Sequence, residues 1–222
     1  MEDKRKKYIE SAKKKVKEAY IGEEFNIIQA VKAYKEAEEM KNNIYERLTD
    51  WAKPVLNLKA ASPEGTSKEL AERQTEEHFK QMGRIIEELD RLQALLKDFI
   101  AKKTETYAKN VRYIVEDPIL TGELIEKAGS IEKLALMPAS TIQLLGAEKA
   151  LFKHIKYGGR LPKYGIIFKH RLVGQGSKEK RGSIARALAA KIAIAARADA
   201  YTKNFVAEKL KRDLEKSLKV GN

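Results

Sequence analysis

The 222-residue sequence has no cysteine and only three histidines. Without cysteine the chain can form no disulfide, iron–sulfur cluster or cysteine zinc site and has no thiol nucleophile, and such a composition is typical of a reducing compartment. His78, His154 and His170 are widely separated along the chain, which disfavours a metal site. We therefore expect neither a metal ion nor another cofactor.

Long apolar runs are also absent from the sequence. No stretch approaches the ~18 residues that a membrane-spanning helix needs. The first residues, MEDKRKKYIE, lack the apolar region of a secretory signal peptide. We therefore expect a cytoplasmic protein with no membrane partner.

The net positive charge is confined to the C-terminal third of the chain. Residues 1–145 contain 26 basic and 26 acidic residues, whereas residues 146–222 contain 19 basic and 6 acidic ones and so carry the whole net charge of +13. This asymmetry indicates a polyanion-binding segment attached to an electrically neutral one. A lysine-rich surface that serves only solubility is the alternative interpretation.

Apolar residues spaced by three and four predict two long amphipathic helices. The first begins near Phe25 and is expected to end at Lys53, because a residue that precedes proline avoids helical backbone angles. The second is expected to begin at a capping box formed by Thr66 and Glu69 and to continue to Ile114.

Two long helices joined by a short loop predict an antiparallel coiled-coil hairpin over residues 25–117, preceded by an N-terminal helix or linker in residues 1–24. The hairpin has no net charge and no catalytic group, so we expect it either to hold other parts apart or to dimerise. The apolar residues of its second helix that we assign to dimerisation are Met82, Ile85, Leu89, Leu92, Leu96 and Phe99.

The remainder of the chain, residues 118–222, predicts short helices. Ser140 and Thr141 are expected to cap a helix that ends at the glycine pair after Tyr157, and Ser183 to cap an alanine-rich helix. In that helix Arg197 is interpreted as the partner of Asp199 or another acid. The segment LPKYGIIFKHRL is the only one with a strand-like pattern.

Catalytic motifs are missing from the chain. The glycines of GAEK (146–149) and GQG (174–176) do not fit the Walker phosphate loop, and the dinucleotide fingerprint fails because position 179 is Glu. No nucleophile–histidine–acid set or carboxylate pair is evident. We therefore do not expect an enzyme.

A dense basic cluster occupies 27 residues that contain a single acid, Glu179. Such side chains can neutralise phosphates, and interleaved rings could stack on a nucleobase. Phe168 is interpreted as a core residue instead, and His170 is retained as a candidate contact. The interleaved ring residues are Tyr157, Tyr164, Phe168 and His170. The basic residues of the cluster are Arg160, Lys163, Lys169, Arg171, Lys178, Lys180, Arg181 and Arg186.

Three segments resemble the Nop domain family: LALMPASTIQLLGAEKALFKH (134–154), LPKYGIIFKH (161–170) and RGSIARALAAKIAIAARAD (181–199). FNIIQAVKAY and the later long helix are similar to the coiled coil of that family. The family includes the scaffold of archaeal box C/D ribonucleoproteins and a pre-mRNA processing factor of the spliceosome. The resemblance implies an all-α fold, with the coiled-coil hairpin followed by a basic helical Nop domain in residues 118–222.

The resemblance also implies partners. It predicts a non-enzymatic scaffold that binds a kink-turn RNA together with the small ribosomal-type protein already bound to that RNA, and that self-associates through its coiled coil. In the family a separate N-terminal domain recruits fibrillarin; no such segment is present here, so we expect no direct fibrillarin binding. The residues that match the contacting elements of the family are Gly146, Ala147, Glu148, Lys149, Lys153, Lys163, Arg181, Ser183 and Arg186.

Two further interpretations remain open at this point. One is a truncated box C/D methylation-guide scaffold that lacks its recruitment domain, although Met1 favours a naturally short protein. An archaeal origin is expected. The other is a coiled-coil structural adaptor whose basic segment has little RNA specificity. That second interpretation leaves the excess of positive charge unexplained.

Overall fold

A computed structural model describes residues 4–5, 8–13, 22–73 and 75–220. All regular secondary structure within these ranges is helical, which confirms the predicted all-α class. Much of the predicted N-terminal helix or linker, residues 1–24, lies outside the described residues. The chain divides into two compact units, one formed by Ala30–Phe99 and the other by Ile100–Asn222 with the described residues up to Gln29.

The unit formed by Ala30–Phe99 contains three helices and their own apolar core. Lys41 makes a polar contact between the long helices, with its Nζ 2.6 Å from Asp90 Oδ1 and 2.9 Å from Gln93 Oε1. The core of this unit consists of Leu48, Ala52, Leu58, Leu70, Phe79 and Ile86. Its helices are α1 (Glu23–Leu56), α2 (Pro63–Glu72) and α3 (Glu77–Tyr107).

Helix α1 does not end where the sequence predicts. It continues through Pro54 to Leu56, and Asn57 then adopts a left-handed conformation with φ of 54°. Because Pro54 lies in the last turn, its missing N–H removes only one hydrogen bond from a helix that is about to end. The predicted stop at Lys53 is therefore wrong by three residues.

The predicted capping box of Thr66 and Glu69 is also wrong. The connecting segment forms the separate helix α2, whose N-cap Ser62 accepts a hydrogen bond from the Gly65 N–H, with Pro63 in the first turn. Thr66 is buried inside this helix, and Glu69 instead accepts hydrogen bonds from the backbone N–H groups of Lys59 and Ala60. A serine followed by proline is itself a strong helix start, and it acts four residues earlier.

The long second helix is shorter than predicted. Helix α3 ends at Tyr107, and Ala108 leaves the helical region before a short helix, α4 (Lys109–Val115), begins. Ala108 and Val111 are completely buried, so packing against other helices overrides the helical periodicity here. The coiled-coil interpretation of α1 and α3, and the predicted domain boundaries at residues 24 and 117, stay predictions.

The other unit is organised around the alanine-rich helix α10 (Arg181–Arg197), which packs against α6 and α7. Its small buried residues, among them Ala185, Ala189 and Ala193, allow close approach of neighbouring helices. The other helical elements after α4 are α5 (Pro118–Ala128), α6 (Ile131–Leu136), α7 (Ala139–Leu144), α8 (Glu148–Tyr157), a 3-10 helix (Ile166–Lys169), α9 (Arg171–Gly174), a π-helical turn (Ala198–Thr202) and α11 (Ala207–Val220).

A buried polar pair joins three elements of this unit. Asp199 accepts hydrogen bonds from the backbone N–H groups of Asn110 and Val111 at 3.0 and 2.9 Å, which caps α4. The Asn110 side chain accepts in turn from the N–H groups of Val206 and Ala207 at 2.8 and 3.1 Å, which caps α11. Burial raises the pKa of Asp199, while these hydrogen bonds oppose the rise.

The sequence suggested that Arg197 is the partner of Asp199, and this prediction is wrong. The Arg197 Nε donates to the Ala135 carbonyl at 3.1 Å. Since Arg197 and Asp199 are only two residues apart on a helix, their side chains point in different directions.

Three further local predictions in this unit are wrong. Ser140 and Thr141 lie within α7, and the expected continuous helix is interrupted before α8, which does end at Gly158 as predicted. Ser183 lies inside α10 and donates to the Lys180 carbonyl rather than capping the helix. The strand-like segment from Leu161 has no strand partner in the described part of the chain and forms a 3-10 turn.

Candidate nucleic-acid interface

Two glycines determine where the predicted contacting residues lie. Gly146 has φ of +85° between α7 and α8, a conformation that favours glycine. Gly165 lies against the backbone of residues 144–145, where a Cβ would overlap the Leu145 carbonyl oxygen. The Gly165 N–H donates to the Gln143 carbonyl at 2.7 Å, and the Gln143 side chain donates to the Lys163 carbonyl at 2.6 Å. The backbone of Lys163 is thereby held beside Gln143 of α7.

Helix α8 is amphipathic but is not packed into a core. None of its ten residues, all of which the structure describes, is buried. Phe152 and Ile155 are 68% and 70% exposed, and Leu151 lines a shallow apolar pocket beside them with Leu144. An apolar helix face left in solvent is unusual and marks an interaction surface.

Lysines form a second exposed stripe on the same helix. Lys149, Lys153 and Lys156 follow one another at spacings of four and three, and all three are exposed. Glu148 has a local role, because its carboxylate accepts a hydrogen bond from the Gly146 N–H at 2.6 Å. Helix α8 thus presents an apolar stripe and a cationic stripe side by side.

Two of the predicted basic contacts outside α8 have carboxylate partners. Lys169 lies 2.6 Å from the buried carboxylate of Glu123, and Arg171 Nη2 lies 3.8 Å from Glu116. These two cations are partly neutralised. The other predicted basic contacts with exposed side chains, besides Lys149 and Lys153, are Arg160, Lys163, Lys178, Lys180 and Arg186.

Arg181 and Ser183 have local structural contacts. Arg181 donates from Nε to the Gly176 carbonyl at 2.9 Å and from Nη2 to the Gly174 carbonyl at 3.1 Å. These bonds fix the loop that precedes α10. Because two donors of Arg181 are used in this way, fewer remain for a ligand, whereas Ser183 is exposed.

His170 is placed differently from what the sequence suggested. Its ring is 3% exposed, and Nδ1 accepts a hydrogen bond from the Leu172 N–H at 3.2 Å. Burial lowers the pKa of His170, so the ring is neutral at neutral pH. His170 therefore contributes neither a reachable ring nor a charge to the interface, and its prediction as a contact is wrong.

The prediction that Phe168 is a core residue is also wrong. Its ring is 40% exposed rather than part of the core, whereas the neighbouring Ile167 is completely buried. The 3-10 geometry turns these consecutive side chains in different directions, so the apolar run cannot be buried as a whole.

The apolar residues assigned to dimerisation occupy two strips of α3. Met82 packs against the core of its unit, and Leu89 and Leu96 are half-buried. Ile85, Leu92 and Phe99 are exposed, each by between 38% and 43%. A residue that the sequence reasoning missed is Leu95 on the same side of the helix, which is 70% exposed.

Sequence reasoning also missed Phe152 and Ile155 as candidate contacts. The signal was present in ALFKHIKY, where apolar residues recur at helical spacing beside lysines. That pattern alone does not distinguish a helix packed into a core from one whose apolar side is exposed.

Within the part of the chain that the structure describes, no group of three or more His, Asp or Glu side chains is arranged to hold a metal ion. Over the same residues, no helix has the length and apolarity to cross a membrane. The cytoplasmic location stays a prediction.

The fold and this surface define a class: an all-α protein with an exposed basic and apolar interface on one of its two units. The family model described as "Nop: snoRNA binding domain, fibrillarin" matches residues 14–220. The chain belongs to the Nop family.

Relatives with known names share this assignment. Nucleolar protein 56 of Dictyostelium discoideum is 42% identical over 174 residues, which are 77% of this chain and 31% of the relative. An uncharacterized NOP5 family protein of Methanocaldococcus jannaschii is 56% identical over 97 residues, or 44% of this chain and 23% of the relative. The chain thus spans less than a third of the length of these curated relatives.

A solved structure has the same fold. The crystal structure of a fibrillarin/Nop5p complex contains a chain that is 30% identical, with a TM-score of 0.64, over 96% of this chain and 76% of the other. The expectation that this protein does not bind fibrillarin directly gains no support from a similar chain whose structure is titled as a fibrillarin complex.

Proposed function

We propose that this protein is a non-enzymatic scaffold of a box C/D-type ribonucleoprotein, which binds a kink-turn RNA together with the small protein that already occupies it. The observation that carries the proposal is helix α8, which exposes an apolar stripe and a lysine stripe side by side. A composite ligand of protein and RNA offers a counterpart to each stripe. The family description and the names of the relatives support RNA as the polyanion.

The apolar stripe is the argument for a protein component. Phosphates are recognised by cations and N–H groups, so phosphate binding does not explain why Phe152 and Ile155 are exposed to solvent. Apolar and aromatic side chains of this size are, in contrast, typical anchors of protein interfaces. The lysine stripe with Lys163 and Arg186 then contacts the RNA backbone.

We also propose that the protein self-associates through α3. The exposed side chains of Ile85, Leu92, Leu95 and Phe99 share one side of the helix by their spacing. An apolar strip with this spacing on a soluble helix is typical of a helix–helix interface. Replacing Leu92 and Leu95 together with Glu is expected to convert a dimer into a monomer in light scattering, and an unchanged mass would refute the role of this strip.

The experiment for the RNA proposal compares RNA alone with RNA preloaded with its kink-turn protein. In the variant with Phe152→Ser and Ile155→Ser, affinity for the preloaded RNA is expected to fall at least tenfold, while the weak affinity for RNA alone stays unchanged. The matched control is Leu136→Ser, an equally exposed apolar side chain on α6 at 73% exposure.

Two results would contradict the proposal. If the wild-type protein binds the preloaded RNA no better than an unrelated duplex, the protein is not a kink-turn scaffold. If the α8 variant loses affinity equally for both RNA samples, the apolar stripe does not contact a protein.

A further inference from the structure

The rings of Tyr164 and Phe168 form a parallel stack at the surface. Their centroids are 5.0 Å apart and their planes differ by 9°. Phe168 is 40% exposed and Tyr164 is half-buried. The guanidinium carbon of Arg181 lies 5.5 Å from the Phe168 centroid, within cation–π distance of that ring.

The backbone beneath the stack is held firmly. The Gly165 N–H donates to the Gln143 carbonyl at 2.7 Å, and the Ile166 N–H donates to the Leu145 carbonyl at 2.8 Å. Ile167, between the two rings in sequence, is completely buried and anchors the turn. Arg181 is fixed by its hydrogen bonds to the preceding loop. The stack therefore loses little conformational entropy when a flat ligand is added to it.

The charge around the stack selects the kind of flat ligand. Lys163 precedes Tyr164 and Lys178 lies in the loop before Arg181, and both are exposed. Lys169, which follows Phe168, is also exposed, but its Nζ lies 2.6 Å from the Glu123 carboxylate. Exposed cations close in sequence to a partly exposed aromatic platform match the chemistry of a nucleotide, which combines a flat base with phosphates. Rings that served only core packing would need neither solvent exposure nor neighbouring lysines.

We propose that the stack of Tyr164 and Phe168 binds an unpaired nucleobase of the RNA, with the neighbouring lysines contacting its flanking phosphates. This inference rests on the proposed function and adds a base-contacting site to it. Because every base has a π-face, stacking tolerates any base but requires one that is not paired in a helix. The site therefore selects the shape of the RNA rather than its sequence.

The test uses the full chain and kink-turn RNAs preloaded with their kink-turn protein, each RNA carrying 2-aminopurine at one unpaired position. With the wild-type protein, the fluorescence at one position is expected to change on binding. The variant with Tyr164→Leu and Phe168→Leu keeps apolar volume but removes both π-faces. It is expected to abolish that fluorescence change and to weaken affinity by about 5- to 100-fold.

The salt dependence separates stacking from phosphate contacts. Loss of a stacked base leaves the slope of log affinity against log salt unchanged, whereas Lys163→Ala lowers its magnitude by somewhat less than one unit. Tyr201→Leu is the matched control, since Tyr201 is 58% exposed in the π-helical turn, away from these lysines in sequence, and is expected to alter nothing.

The outcomes distinguish this inference from the proposed function. If the wild-type protein binds the preloaded RNAs but no 2-aminopurine position responds, the stacking site is refuted and the scaffold proposal stands. The same holds if the double leucine variant binds with wild-type affinity. If the wild-type protein binds none of these RNAs, both proposals are wrong. The wild-type fluorescence measurement decides the matter even where the double variant folds poorly.

Discussion

The buried side chain of Asn110 is the clearest place to test how the unit of residues 100–222 is held together. It donates to Asp199 Oδ1 at 2.7 Å and to the Asn204 carbonyl at 2.8 Å, and it accepts from the backbone N–H groups of Val206 and Ala207. Asn110→Ala removes all four hydrogen bonds and leaves groups behind that were paired through this side chain.

The structure sets the size of the effect. The Ala207 N–H and the Asp199 carboxylate are buried, whereas the Asn204 carbonyl and the Val206 N–H are partly accessible and can turn to water. The Ala207 N–H loses its side-chain acceptor, at a cost of about 1–3 kcal/mol, whereas the Asp199 carboxylate keeps the backbone N–H groups of Asn110 and Val111 and loses one hydrogen bond, at a cost of about 1.5–3 kcal/mol. Asn110→Ala is therefore expected to lower the free energy of unfolding by about 3–5 kcal/mol, out of a typical total of about 5–15 kcal/mol.

Urea unfolding followed by far-ultraviolet circular dichroism measures this change. The transition midpoint is expected to fall while the slope with denaturant stays constant. The control is Asn43→Ala, at an exposed position of α1, where the change should stay within about 0.5 kcal/mol. A loss of less than about 1 kcal/mol in Asn110→Ala would refute the claim that this side chain joins α4, Asp199 and α11.

Three further outcomes are expected. Lys149→Glu should weaken binding to preloaded kink-turn RNA far more than Lys209→Glu on α11, although the charge change is identical. Equal losses of affinity at every salt concentration would mean that only long-range electrostatic attraction acts. Gly165→Ala should lower the free energy of unfolding by about 2 kcal/mol or more, because the added Cβ overlaps the Leu145 carbonyl. Gly182→Ala has open space in α10 and should be neutral or slightly stabilising, by about 0.5–1 kcal/mol. Similar melting temperatures for the two variants would contradict this. The hydrogen bond from Lys211 lowers the pKa of Glu116 below its ordinary value of 4.5. The extra stability of wild type over Glu116→Gln should therefore be present above pH 4.5 and should disappear as the pH falls through the lowered pKa of the folded state. A pH-independent difference in thermal melts would argue against this ion pair.

Local signals in the sequence determined much of the architecture. The all-α class, the long helices and the end of α8 at Gly158 follow from helical periodicity and from a glycine that tolerates the left-handed conformation. The excess of positive charge after residue 145 and the segments that resemble the Nop family were likewise readable from the residues alone. These features depend on neighbours within a few residues or on simple counts, which is why no tertiary information was needed.

The helix boundaries show where local signals compete. Thr66 with Glu69 and Ser62 with Pro63 are both plausible helix starts, and the second prevails because Thr66 is buried within the helix. Ala108 interrupts a periodic segment because it and its neighbours pack into the core of the other unit. The outcome of such a competition is decided by packing energy, which the local pattern does not contain.

The interface itself was decided by tertiary structure. The sequence treated Phe168 as core and His170 as a candidate contact, and the fold exposes the first and buries the second. Phe152 and Ile155 have the spacing of a core-facing helix, yet no other element covers them among the described residues. Whether an apolar or aromatic side chain is buried depends on what lies opposite it, and only the assembled helices supply that neighbour.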